Sequence, residues 1–212
     1  AVVRGVMLAA LTGTRLHVCH ISTRGSVDIL RNAKKAGIGV TGEVTPHHFT
    51  LTEEAVRGYD TNAKMSPPLR TEEDLEAIRQ GLADGTIDVV ATDHAPHHRD
   101  EKNVEFNLAL NGIVGLETAL SLTLALVGKG ILTLPQALAK LTSAPARVLS
   151  LPGGSLREGS AADIVIFDPQ RKWTVDPQLF QSKSRNTPFA GRQLEGVVCR
   201  TLVGGRTVFR RL

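Results

Sequence analysis

The strongest constraint on this 212-residue chain is the order in which its apolar segments change period. Leu16 to Ile21 reads as a strand, and Ser22 and Thr23 can cap a helix running to about Lys35 that carries Val27, Leu30 and Ala33 on one face. Gly37 ends that helix and Ile38 to Val44 is the next strand. Thr71-Glu72-Glu73-Asp74 then resembles a capping box opening a helix with Leu75, Ile78 and Leu82 inward. Gly85 stops it and Ile87 to Thr92 follows as a third strand. Strand, helix, strand, helix, strand at this spacing predicts right-handed βαβ units and a parallel sheet.

The flanks fit around that frame. Ala1 to Leu11 is apolar at helical spacing with no capping residue, so the chain reads as starting inside a helix. Two or three helices are expected over Gly115 to Leu149, one opened by Thr133-Leu134-Pro135-Gln136. Beyond Leu151-Pro152-Gly153-Gly154 the pattern turns to strands at Gly159 to Phe167, Gly196 to Val203 and Arg206 to Phe209, the last two joined across Gly204-Gly205. A partial α/β unit over 1–150 and a small β-rich unit over 151–212 are therefore expected.

Chemistry concentrates at the ends of the strands. A buried parallel strand in an α/β barrel projects its C-terminal residues into the active-site mouth, and Asp93 follows such a run at the head of Asp93-His94-Ala95-Pro96-His97-His98. All seven histidines lie before residue 99, in three clusters that each follow an apolar run. Imidazole and carboxylate at three strand ends suit a divalent transition metal.

Without further information each residue has a plainer reading. His20 could be a satisfied polar residue, and Asp93 a helix N-cap. His17, three residues before His20, should point to the opposite face and be structural. His47 and His48 are read as supporting groups with Glu43, Cys19 as a small buried residue, and His94 and His98 as loop residues. Pro67-Pro68 reads as a rigid turn and Arg70 as an anchor to a carboxylate. The polar stretch from His97 to Asn111 reads as a lid or an ordinary surface loop.

Composition narrows the class. No apolar run approaches the roughly 20 residues of a membrane span, and the N-terminus lacks the ordered regions of a signal peptide, so the cytoplasm is the default expectation. Two distant cysteines, Cys19 and Cys199, suggest no disulfide framework. The net charge of +4 is dispersed and aromatic residues for base stacking are scarce, which argues against nucleic acid and for a small anionic substrate.

Six segments, in order, carry a family resemblance: His17-Val18-Cys19-His20-Ile21-Ser22-Thr23, Gly42-Glu43-Val44-Thr45-Pro46-His47-His48, Lys64-Met65-Ser66-Pro67-Pro68-Leu69-Arg70, Ala91-Thr92-Asp93-His94-Ala95-Pro96-His97, Gly112-Ile113-Val114-Gly115-Leu116-Glu117-Thr118 and Asn186-Thr187-Pro188-Phe189-Ala190-Gly191. Over its whole length the chain resembles the C-terminal half of type I dihydroorotases, in the cyclic amidohydrolase group of the amidohydrolase superfamily. The resemblance implies strands six to eight, with their helices, of a TIM-type (β/α)8 barrel, plus a small β-sandwich-like C-terminal subdomain.

It also implies roles. His20, ending strand six, would ligate a metal, and Asp93, ending strand eight, would ligate another and act as general acid and base. His97 would contact substrate. Ser66 stands where the family uses asparagine and Asn111-Gly112 where it uses Phe-Gly, so substrate contacts at these positions rest on a hydroxyl and on the Gly112 amide. Zn2+, two ions per complete site, would activate water near neutral pH for the reversible interconversion of N-carbamoyl-L-aspartate and L-dihydroorotate in pyrimidine biosynthesis.

The family's remaining ligands, on strands one, four and five, have no counterpart here. The chain is thus expected to be a cut or partial barrel with low activity alone, pairing with a missing half or another copy as a homo-oligomer. The alternatives are a non-catalytic scaffold for aspartate transcarbamoylase, or an allantoinase or dihydropyrimidinase. Asp93-His94-Ala95-Pro96-His97 and Asn186-Thr187-Pro188-Phe189-Ala190-Gly191 speak against the last two.

Overall fold

The computed structural model describes residues 1–211. Three parallel strands, β1 (Leu16–Val18), β2 (Val40–Val44) and β3 (Val89–Val90), form one sheet in the order β1-β2-β3. Leu16 pairs with Val40, His17 with Thr41 and Val18 with Gly42, while Glu43 and Val44 pair with Val89 and Val90. Each crossover contains a helix: α2 (Arg24–Lys35) between β1 and β2, and α3 (Glu72–Ala83) between β2 and β3.

These helices form where their caps permit. Thr23 and Thr71 each accept a hydrogen bond from the backbone N–H three residues on, meeting donors that the first turn leaves unpaired. Val27 and Leu30 of α2 and Leu75, Ile78 and Leu82 of α3 are buried on the helix layer. Packing there is tight enough to dictate sequence. A Cβ on Gly42 would lie 2.6 Å from both Ile21 Cδ1 and Leu30 Cδ2. Along β2, Val40, Gly42 and Val44 are buried and face this layer, which by alternation turns Thr41 and Glu43 the other way.

Five more helices frame the sheet. α1 (Val2–Thr12) precedes β1 and ends at Gly13. α4 (Arg99–Lys102), α5 (Leu116–Gly128), α6 (Leu134–Leu141) and α7 (Ser143–Val148) follow β3 in sequence order, with two 3-10 turns, Glu53–Val56 and Thr61–Ala63, before α3. Thr133 and Gln136 form a capping box at the start of α6, where the sequence places a helix opening. The strands are shorter than predicted. β1 stops at Val18 and β3 covers two residues, although Asp88 and Ala91 extend its ladder with bonds to Gly42 and Val44 carbonyls.

The C-terminal strands β4 (Ile164–Thr174), β5 (Gln193–Val203) and β6 (Arg206–Arg210) make an antiparallel sheet, with β5 and β6 turning at Gly204-Gly205 as expected. β4 begins later and runs longer than its apolar run suggests, through Lys172-Trp173-Thr174, with register shifts at Ile166/Phe167 and Asp168/Lys172. Among the described residues this is one three-stranded sheet rather than the two facing layers of a sandwich. Its β5 packs on α5, where Ser121 Oγ donates to Gly196 O at 2.8 Å and accepts from Trp173 Nε1 at 3.0 Å. Val165, Ile166, Val203 and Val208 stay exposed. Between β4 and β5 the chain returns to the first sheet's core, to which Val175, Phe180 and Phe189 contribute.

Candidate active site at the ends of the parallel strands

Two residues leave their strands in the left-handed backbone region. His20, just past β1, has φ 52°, and Asp93, past β3, has φ 47°. Only four non-glycine residues among those described share that sign. Such a conformation costs about 1–2 kcal/mol, and it persists where surrounding structure holds a side chain in a particular direction. Here both side chains turn to one place: His20 Nε2 lies 3.9 Å from Asp93 Oδ1. Both are half-buried, within reach of solvent.

Glu43 of β2 lies between β1 and β3 in the sheet and completes the group. Its Oε1 is 3.3 Å from His20 Nε2, and its Oε2 accepts a hydrogen bond from His17 Nε2 at 3.1 Å. The other ring nitrogen of His17 then accepts from the Thr41 hydroxyl at 2.8 Å, which assigns its tautomer from the network. The expectation that His17 faces away from His20 is therefore incorrect. Strict alternation ends with β1 at Val18, and the left-handed turn at His20 brings its ring back to the carboxylate that holds His17. His17, Cys19 and Glu43 also place three potential ligand atoms within 4.8 Å of one another. Cys19 is exposed as a residue rather than buried, yet partial desolvation of its sulfur, with the Glu43 charge beside it, pushes its thiol pKa up, away from the thiolate form.

His47 and His48 sit beneath this group, both buried. His48 donates from Nε2 to Pro67 O at 2.9 Å and accepts at Nδ1 from Thr45 Oγ1 at 2.7 Å, a set that suits the neutral ring. Burial lowers its pKa to about 4. His47 is also held well below the ordinary histidine value, first by burial and then by His48 and His20, and its Nε2 is a buried atom with no hydrogen-bond partner. Neither bonds to Glu43; His48 instead ties β2 to the Pro67 turn. Arg70 meets a hydroxyl, Ser22 Oγ at 3.4 Å, and not the expected carboxylate.

The loop after Asp93 is built largely by side chains. His94 Nδ1 accepts from Gly115 N at 3.1 Å, covering the start of α5. His98 caps α4 in a capping box with Glu101. His97 donates from Nε2 to Asn111 O at 2.8 Å, and its Nδ1 lies 3.5 Å from Glu101 Oε2. Asn186 clamps this arrangement, accepting from His97 N at 3.2 Å and donating to Ala95 O and Gly112 O at 3.0 and 3.1 Å. The sequence motif contained Asn186, but no spacing argument gave it this task. Lys102 is buried and donates to Leu110 O and Gly112 O, so the 97–111 segment is pinned at its middle.

His97, Asn111 and Gly112 are thus brought together, with Gly112 at φ 115° and a built Cβ 2.5 Å from Ala95 Cβ. The Gly112 amide is committed to Lys64 O at 2.9 Å, which removes the backbone donor that the sequence assigned to substrate. Ser66 is exposed, and its hydroxyl takes no protein hydrogen bond among the described residues.

Taken pairwise around His20 the donors fit a divalent ion, although the three-donor cluster among the described residues is His17, Cys19 and Glu43. Two ligands at 2.0–2.2 Å from a tetrahedral ion lie about 3.4 Å apart, close to the His20–Glu43 and His20–Asp93 separations. Imidazole nitrogen and carboxylate oxygen are ordinary zinc donors.

The chain belongs to the amidohydrolase family, whose model matches residues 5–208. It is similar to the dihydroorotases of Syntrophotalea carbinolica, with 66% identity over 99% of this chain and 49% of that protein, and of Geobacter metallireducens, with 55% identity over 100% and 50%. The fold is similar to the solved dihydropyrimidinase of Brevibacillus agri, with TM-score 0.93 and 28% identity over 99% of this chain and 48% of that one. The L-hydantoinase of Arthrobacter aurescens matches with the same TM-score and coverage at 30% identity. The chain spans about half the length of these relatives. The architecture is that of the α/β amidohydrolases, whose solved neighbours are of the TIM-barrel hydantoinase type. No helix among the described residues is long and apolar enough to cross a membrane.

Proposed function

We propose that this chain carries strands six to eight of a dihydroorotase barrel and part of its zinc site, in a protein that interconverts N-carbamoyl-L-aspartate and L-dihydroorotate. On this reading residues 1–150 are the barrel part and 151–212 the small β-rich subdomain. The observation that carries the proposal is the convergence of His20 and Asp93, each on a left-handed backbone, at 3.9 Å. High identity to proteins named dihydroorotase favours the dihydropyrimidine acid as substrate over the hydantoins named for the structural neighbours.

His20 and Asp93 would hold the ion or ions, with the Glu43 carboxylate, 3.3 Å from the same His20 nitrogen, adding negative charge beside the ion. Bound there, zinc would lower the pKa of water and polarise the ring carbonyl. Asp93 Oδ1 takes the proton of the attacking water and returns it to the leaving ring nitrogen as the amide opens; ring closure uses the same steps in reverse. His97 faces substrate from the loop that Asn186 fixes, and Ser66 offers a free hydroxyl at the turn beside it. Asn111 acts through its carbonyl on His97, and Gly112 by leaving space.

Two or three ligands hold an ion weakly, so the 212-residue chain alone is expected to turn over slowly. β1 and β3 each have one strand neighbour and invite a partner, either the complementary half of such a barrel or a second copy. The test is complementation: this chain is mixed with the complementary half of the Syntrophotalea carbinolica relative and zinc, and L-dihydroorotate and hydantoin are assayed. Turnover of dihydroorotate, reduced about 10²–10⁴-fold by Asp93→Asn, supports the proposal. Turnover of hydantoin alone, or activity indifferent to Asp93→Asn, contradicts it.

A further inference from the structure

At the opposite ends of the parallel strands lies a cavity of about 400 Å³, bounded by the starts of β2 and β3, the end of α3, and α6 and α7. Its wall carries three cations, Arg15, Lys140 and Arg147, and one carboxylate, Asp88. That carboxylate is already satisfied. Lys34 Nζ approaches its two oxygens at 2.8 and 2.7 Å, and the Gly42 N–H donates to it at 2.9 Å.

The cations are far less engaged. Lys140 is buried, and its ammonium makes one hydrogen bond, to Ile87 O at 2.6 Å, leaving two protons without a protein acceptor. Arg15 gives one bond, to Val148 O at 3.3 Å. Arg147 has neither hydrogen bond nor ion pair among the described residues. Of the three, Lys140 is buried, and burying a charge without a partner is costly; Arg15 and Arg147 stand exposed at the rim, with most of their donors open toward the cavity. Burial indeed pulls the Lys140 pKa down, an imposition a bound anion would relieve.

We propose that this cavity binds a small oxyanion, a phosphate- or carboxylate-bearing molecule, with the guanidinium planes of Arg15 and Arg147 on its oxygens and the Lys140 ammonium beneath. Planar guanidinium groups match such oxygens in pairs, and a cavity of this size admits a small metabolite rather than a polymer. The site is distinct from the His20–Asp93 pair and does not depend on the reaction proposed there.

Calorimetric titration of the 212-residue protein at pH 7.5 and constant chloride ionic strength tests this, with inorganic phosphate in one arm and succinate in the other. Saturable binding of either anion is expected, and the arm that binds identifies the oxyanion type. Arg147→Gln and Arg15→Gln, both at exposed positions that spare the fold, should each weaken binding about tenfold, while Arg57→Gln, on the distant 3-10 turn, should not. Absence of saturable heat with both anions, or equal affinity in all three variants, overturns the proposal.

Discussion

His20 Nε2 and Asp93 Oδ1 stand 3.9 Å apart at the exits of the two outer strands of one parallel sheet, with Glu43 of the central strand touching the same imidazole at 3.3 Å. The sheet order makes this possible. β2 lies between β1 and β3, so residues past the ends of the outer strands can lean inward over the Glu43 position. The left-handed backbone at both exits supplies the lean.

That strain predicts an inverse relation between stability and function. His20→Gly and Asp93→Gly remove the steric cost of the left-handed conformation, so each should leave the fold as stable or more stable by about 1 kcal/mol while losing zinc. Urea unfolding with zinc analysis of the purified variants checks both halves. A destabilised Gly variant that keeps its zinc would contradict the role assigned to these backbones.

Stability should fall in mild acid because of His48. Its pKa is depressed to about 4 in the folded protein, while the unfolded chain takes up a proton near 6.5. The stabilisation is therefore present above pH 6.5 and is lost as pH falls through 4, by about 3 kcal/mol at the limit. Buried His47 acts in the same direction. Unfolding free energies at pH 7 and pH 4.5 should differ, and His48→Gln should reduce the difference.

Lys102 should hold the loop after β3. Replacing it with methionine deprives Leu110 O of its donor and leaves Gly112 O with Asn186 alone, at a cost of about 1–3 kcal/mol. Hydrogen exchange in residues 97–112 should quicken more than in α2 or α3. Uniform protection across the loop would show that the ammonium does not pin it.

Gly115 opens α5 against the backbone leading to Asp93. An alanine Cβ there would lie 2.4 Å from Thr92 O, a backbone atom that cannot swing away. Gly115→Ala should cost upwards of about 2 kcal/mol and weaken zinc binding by moving Asp93. A variant with unchanged Tm and unchanged zinc affinity would place this contact elsewhere.

Much of this was legible in the residues because period and capping act locally. Thr23, Thr71 and Thr133 open their helices where their spacing placed them, and the Gly204-Gly205 hairpin falls as its neighbours require. What failed depends on geometry beyond a segment. Alternation put His17 and His20 on opposite faces because nothing local shows that β1 ends at Val18. The Gly112 amide looked free until Lys64, far back in the chain, proved to accept it. Asn186 acts on residues about ninety positions away, and polar Gln170 to Lys172 hid the second half of β4.

The most direct test of the central claim is a crystal of the zinc-loaded protein measured at the zinc absorption edge. The account predicts an anomalous peak about 2.0–2.2 Å from a ring nitrogen of His20 or a carboxylate oxygen of Asp93, lost in the Asp93→Gly, His20→Gly double variant. Zinc bound elsewhere, with both side chains free of metal, would contradict it.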